Sequence, residues 1–465
     1  MKTLTALTNI MLSVMITLLS FSCDNDDDTV IVDPEPTNTI VELAQATPQL
    51  SSLVSALIKY PDLVTLLSES GTYTVFAPDN NAFDALLTAI GQTSIDDIPE
   101  DVLKNVLQYH VFTAAAVEAS AVTTGSISMA NGEEADLLAE NNGVSINGAT
   151  VTTADVEGTN GIVHIIDNVI VPPSILPIVG TIVAPAYFNK DFTTLIAAVQ
   201  NANTDILGLL LGNGSSDEGL TLFAPTNAAF EAAGITDVNG ADAVLAYHVI
   251  DGTIMASMLP STTGAAASVP TLGSENIHIT NAGGDVSING ISTVVLTDIV
   301  GSNGVVHVID RTLIPPTQTI NEIVGDFAGG NPAEFTLLAA ALARAGLADF
   351  FAGDGPFTVF APVDAAFEAA GLDLATINAS EPSVVAGILT HHVVKANLNV
   401  FSTDLVDGNV TMLNDQDVTI SLSNLSVQDA AGSNPAAGLV PSLLNVLATN
   451  GVIHVIDKVL LPSNN

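Results

Sequence analysis

The 465-residue chain has one cysteine, no tryptophan, five tyrosines and only eight lysines and arginines. With Cys23 alone, no disulfide can close within the chain, so its cores must be held by burial. Without tryptophan and with so few tyrosines, the flat aromatic platforms that stack on sugar rings are scarce. Eight basic residues face 50 acidic ones, a formal charge of −42. Nucleic acid is therefore excluded as a partner, because counterion release from phosphate needs clusters of Lys and Arg. Catalytic signatures are missing too: no GxSxG elbow, P-loop or HExxH string occurs. Gly212-Asn213-Gly214 lacks the third glycine of a nucleotide cradle and reads as a loop. Paired carboxylates are everywhere in so acidic a chain, and none stands out as an acid–base pair.

What is present argues for a folded protein. Hydrophobic residues make up 48% and charged residues 12%, outside the composition of disordered chains. The length suits about three domains. The one-sided charge favours solubility and tolerance of salt, which screens the self-repulsion. Calcium or magnesium screens it more efficiently, so a divalent-cation dependence of stability or association is expected.

The sequence repeats. TVFAPDNNAF at 74–83 returns as TLFAPTNAAF at 221–230 and TVFAPVDAAF at 358–367. An alternating apolar run ends in Phe76 to Pro78, Phe223 to Pro225 and Phe360 to Pro362, before an Ala-Phe helical pattern. Each is a strand–turn–helix corner. A second string, TNGIVHIID at 159–167, returns as SNGVVHVID at 302–310 and TNGVIHVID at 449–457, placing His164, His307 and His454 with Asp167, Asp310 and Asp457. Between the two lies Tyr109-His110-Val111, then Tyr247-His248-Val249 and, with the tyrosine replaced, His391-His392-Val393. The spacing of about 140 residues is that of one compact domain.

These three strings, in one order and three times over, resemble the motifs of the fasciclin-like (FAS1) domain. The resemblance covers about residues 39–462. It implies an α+β fold of three tandem domains, each a compact β-sheet unit flanked by several helices, at 39–173, 174–316 and 317–463. It also implies cell adhesion or matrix interaction, because in that family the region around the Tyr-His motif is implicated in adhesion. That carries to Tyr109, His110, Tyr247, His248 and His392; His391 in place of tyrosine sets the third unit apart. The other reading of these histidines is that they lock a helix end to the sheet.

Residues 1–22 read as a secretory signal: Lys2, an apolar run from Ile10 to Leu19, then small residues before Cys23. A lone cysteine there resembles the lipidated first residue of a bacterial lipoprotein. Ser20 stands where that family prefers leucine, and an ordinary cleaved signal is the alternative. Asp24 to Asp28 resembles the acidic signal that exports such lipoproteins to the outer surface. Asp24, Asp26, Asp28 and Glu35 also mimic the spacing of a calcium loop, but Thr29 replaces its turn glycine and Pro34 and Pro36 break the exiting helix. Residues 23–38 are read as a lipidated acidic tether. No terminal anchor follows Pro462.

Within the units, Leu50, Leu53, Val54, Leu57 and Ile58 form an amphipathic stripe, and Pro99 with Glu100 and Asp101 starts a helix over 99–110. The second halves read as strands, with turns at Asn142-Gly143, Asn147-Gly148, Gly283-Gly284 and Asn289-Gly290. The second unit is shorter between Phe223 and His248, and Asn434 to Ala437 suggests an insertion in the third. Pro172-Pro173, Pro177 and Pro315-Pro316 mark short linkers, so a semi-rigid row of beads is expected.

His164, His307 and His454 lie on strands with apolar flanks, which favours buried, hydrogen-bonded imidazoles over catalytic ones. Asp167, Asp310 and Asp457 are expected to accept backbone donors at the strand ends. No nucleophile recurs beside them, and neither a metal site nor a cofactor is read; adjacent His391 and His392 cannot share a metal. The reading is a non-catalytic, surface-displayed adhesion protein with a matrix or cell-surface partner, touching membrane only through its lipid. The rival is a lipoprotein that binds polysaccharide or a small ligand.

Overall fold

A computed structural model describes residues 35–463 apart from 141–142, 213–217, 260–266, 274, 283, 331–332, 397 and 433–434. The signal segment, Cys23, the acidic cluster, Asn142, Asn213-Gly214, Gly283 and Asn434 lie outside the described residues.

The first unit opens with helices Ile40–Ala46, Ser51–Leu57 and Pro61–Ser68. Thr39 and Glu42 form a capping box that starts the first, and Pro61 takes the first position of the third, where a missing N–H costs nothing. Leu50, Leu53 and Leu57 of the apolar stripe are buried, but Ile58 is 60% exposed because the helix ends one residue earlier. The corner strand Tyr73–Pro78 follows, then helices Asn80–Ala89 and Glu100–Gln108. Strands then run to the closing strand Gly161–Ile166.

Corner and closing strands are neighbours and parallel, in register from Tyr73↔Gly161 to Pro78↔Ile166. All six residues of each are buried. A strand covered on both faces has no room for alternate polar residues, which is why both strings read as nearly continuous apolar runs. Val75, Ala77, Val163 and Ile165 pack under the helices. Phe76 and Ile166 point the other way, into a second core closed by the hairpin half of the unit. That half folds back at Asn147 (φ 46°) and Gly148 (φ 82°), the positive-φ pair of a tight hairpin turn.

The second unit repeats the plan, with corner strand Leu220–Pro225 parallel to closing strand Gly304–Ile309. Its shortened interval falls on both helices between the motifs, Asn227–Ala232 and Asp242–Tyr247, six residues each where the first unit has ten and nine. In the third unit, corner strand Phe357–Pro362 pairs with Gly451–Ile456 in the same register. Among the described residues, its sheet splits into three-stranded and four-stranded pieces where the first two units each have one seven-stranded sheet. The ten-residue strands Ala149–Gly158 and Ser292–Gly301 are broken there into Ala437–Gly438 and Val446–Ala448, with a turn that starts at Pro441 between them. Proline removes the ladder donor that a continuous strand needs.

The units are packed together rather than strung as separate beads. At the first joint, the short helix Ala184–Tyr187 lies against the loop after Ile90, with the Gln92 amide donating to Pro185 O (3.0 Å) and Lys190 N to Asp97 O (2.8 Å). The helix-side cores of units one and two join into one apolar cluster. The second joint is polar. Thr280 donates to the buried Asp404 carboxylate (2.7 Å), and Asn399 Nδ2 donates to His278 Nε2 (2.9 Å). The His278 ring lies 5.2 Å from Phe401. The Asn289-Gly290 turn seats against Phe401, so a Cβ on Gly290 would come within 2.8 Å of it, whereas the matching Gly148 has open space.

Candidate functional site

The recurring residues meet at the corner. Phe76, Phe223 and Phe360 sit opposite His164, His307 and His454 in register, with ring centroids 5.5, 5.5 and 5.7 Å apart. Each imidazole is at most 1% exposed. Its Nε2–H donates to a carbonyl at 2.8 Å: Val117, Ile254 and Val400. Its Nδ1 accepts the N–H of Asp155 (3.3 Å), Asp298 (3.2 Å) or Asn445 (3.4 Å). Both nitrogens are occupied, so the ring holds three segments together and has no lone pair or proton left for chemistry.

The residues that feed those histidines are themselves special. Asp155, Asp298 and Asn445 have φ of 58°, 59° and 58°, and the first two sit at bulges in the strand pairing. Asp and Asn tolerate that left-handed region better than most residues. Their side chains accept the N–H of Ala119 (2.7 Å), Ala256 (2.8 Å) and Ser402 (2.7 Å). Because the third is an amide, it also donates to Gly290 O in the second unit (2.7 Å). One oxygen exchanged for NH₂ turns an internal cap into an interunit bond.

The Tyr-His pair is interior. Tyr109 and Tyr247 are fully buried, with hydroxyls donating to Glu134 O (2.6 Å) and Asn276 O (3.0 Å) and accepting from Asn147 and Asn289. They tie the helix end to the hairpin turns. His110, His248 and His392 donate from Nδ1 to the carbonyl four residues back, at 2.7, 2.6 and 2.9 Å. Their Nε2 accepts the N–H of Ile170 (3.0 Å), Leu313 (2.9 Å) and Leu460 (2.9 Å). Burial pushes all three down to about 4. In the third unit His391, also buried, faces Asn414 and the Ala430 N–H. These side chains shape the surrounding surface without forming it, so a partner resting on this region meets what they position and not the rings.

Asp167, Asp310 and Asp457 each accept a backbone N–H, from Thr150 (2.7 Å), Thr293 (2.6 Å) and Gly438 (2.6 Å). Two further sets of residues went unread in the sequence. Asn160 accepts Ile40 N–H and donates to Leu67 O and Glu69 O, tying the first and third helices to the closing strand. Asn303 and Asn450 make the corresponding bonds. Thr74, Thr221 and Thr358, second residues of the corner strands, each donate to one carbonyl and accept one N–H of the segment that also receives the histidine. Both sets lie inside the repeated strings, and that recurrence was the available signal. Among the described residues no group of three or more His, Cys, Asp or Glu is placed to hold a metal.

The sequence model described as the Fasciclin domain matches residues 48–172, 190–315 and 333–462. The chain belongs to the fasciclin-domain family. It is 26% identical over 430 residues to the pig transforming growth factor-beta-induced protein ig-h3, an alignment covering 92% of this chain and 58% of that one. Human periostin is 30% identical over 365 residues, 76% of this chain and 40% of periostin. The chain thus spans about half the length of these relatives. Over 141 residues it is 33% identical to the cell surface glycolipoprotein MPB83 of Mycobacterium bovis, 29% of this chain and 61% of that one. Each of the three units here is a fasciclin domain, and the residues that recur among them are the ones that close its two cores.

Proposed function

We propose that this protein is a non-catalytic adhesion or matrix-interaction protein, held to the outer face of a bacterial envelope by lipid on Cys23. The observation that carries the reading is that every recurrent histidine and tyrosine is consumed by internal hydrogen bonds. Three copies of such a frame repeat a surface and not a reaction centre. Three weak contacts on one rigid chain give avidity that no single unit has. The cysteine after an apolar leader supports the anchor, as does the likeness to a relative named a cell surface glycolipoprotein. Among the described residues no helix is long and apolar enough to cross a membrane.

The partner is an extracellular matrix or cell-surface protein or polymer, and the charge of −42 makes its capture sensitive to calcium or magnesium. The test is binding of the full chain to immobilised cells, matrix protein and extracellular polymer, with and without calcium. Retention that falls when one unit is deleted is expected. No retention on any of these surfaces at any calcium level would sink the proposal.

A further inference from the structure

A cavity of about 500 Å³ opens at the joint between the second and third units, walled by the proline-bearing linker, the end of the second unit and the strand Val446–Ala448 of the third. Three features of its lining point to a ligand. Thr312 is 8% exposed, and its hydroxyl finds no hydrogen-bond partner among the described residues. Folded proteins rarely leave such a group unpaired. Arg311, beside it, is exposed at the cavity's edge and forms no ion pair among the described residues. Lys59, Lys104 and Lys395 have one, while Arg344, Lys190 and Lys458 donate instead to the carbonyls of Ser380, Asp96 and Pro435. Leu313, Ile314, Pro315 and Val446 give the wall an aliphatic stretch, bordered by the polar Asn289, Ser292, Thr317, Gln318 and Asn445, and no aromatic ring lines it.

From these we infer that the joint binds an aliphatic monocarboxylate of medium length. The guanidinium of Arg311 presents the fork that pairs with a carboxylate, the Thr312 hydroxyl supplies a second polar contact, and the hydrocarbon lies along the aliphatic wall. A polyanion is disfavoured by the charge of the chain, and a sugar finds no ring to stack on. The site is independent of the adhesion reading. Because both units line it, an occupant also bridges them.

The probe is decanoate, titrated calorimetrically into the full chain below its micellar concentration, with decanol as the uncharged comparison. Saturable one-site binding of decanoate is expected, with decanol weaker by about tenfold or more. Arg311→Gln should weaken decanoate by a similar factor, while Lys104→Gln, on the first unit, leaves it unchanged. Thr312→Val should weaken binding and raise the melting temperature of the ligand-free protein, since it removes an unpaired buried hydroxyl. Absence of saturable binding, equal binding of decanoate and decanol, or full binding by Arg311→Gln would overturn the inference. The decanoate–decanol comparison needs no variant and stands even if one of them misfolds.

Discussion

Asn160, Asn303 and Asn450 place an amide where backbone groups at or beside helix ends would otherwise be left unpaired. Asn160→Ala strips Ile40 N–H and two carbonyls of a buried partner at once, and should cost about 3 kcal/mol. The readout is a lowered unfolding transition for the first domain, with lost hydrogen-exchange protection at Ile40. Asn160→Asp should be no better, because a carboxylate would face Leu67 O and Glu69 O. The importance of the flanking strings was legible in the sequence, because an apolar run ending in Phe-Ala-Pro or His-Ile-Ile-Asp states its own burial. The asparagine was not, because its partners lie 91 to 120 residues away. The glycine beside it is explained by the same approach: Gly161 has φ 155°, and a Cβ there would lie 2.1 Å from Tyr73 O.

At the level of elements, each domain locks the end of one helix to its sheet through a neutral imidazole whose Nε2 must stay an acceptor. His110, His248 and His392, with His278 at the second joint and His454 in the closing strand, are all pushed down by burial from 6.5 to about 4. Between pH 6.5 and 4 the unfolded chain takes up these protons and the folded chain does not, so stability falls as pH falls through that window. Each fully buried imidazole contributes up to about 3 kcal/mol of that loss. Urea midpoints should therefore drop between pH 7 and pH 5, where most carboxylates remain charged, and a flat profile would contradict the assigned tautomers. Strand order was less legible than burial. The repeated strings showed which strands are covered on both faces, but not that the first and last of each domain pair in parallel, since that pairing joins segments nearly 90 residues apart. The break in the third domain's sheet falls at Pro441, where a turn interrupts the strand.

On the scale of the whole molecule, the prolines predict stiff linkers, yet the units are also held by what packs across them. The first joint shares an apolar core, and the second depends on a few polar contacts in which Asn445 donates to Gly290 O. Asn445→Asp keeps the cap on Ser402 N–H and sets a carboxylate against that carbonyl. It should loosen the second joint while leaving each domain folded, seen as a larger radius of gyration in solution scattering with little change in melting of the domains. Unchanged dimensions would mean that Phe401 and Asp404 suffice. Three fasciclin domains carrying a charge of −42 support the proposed display outside the envelope, and that proposal is where the central claim is tested. Intact cells producing the protein are treated with external protease and the chain is followed by immunoblot beside a periplasmic control. Loss of the chain while the control survives is the expected result. Protection until the outer membrane is permeabilised would contradict surface display and, with it, adhesion to anything outside the cell.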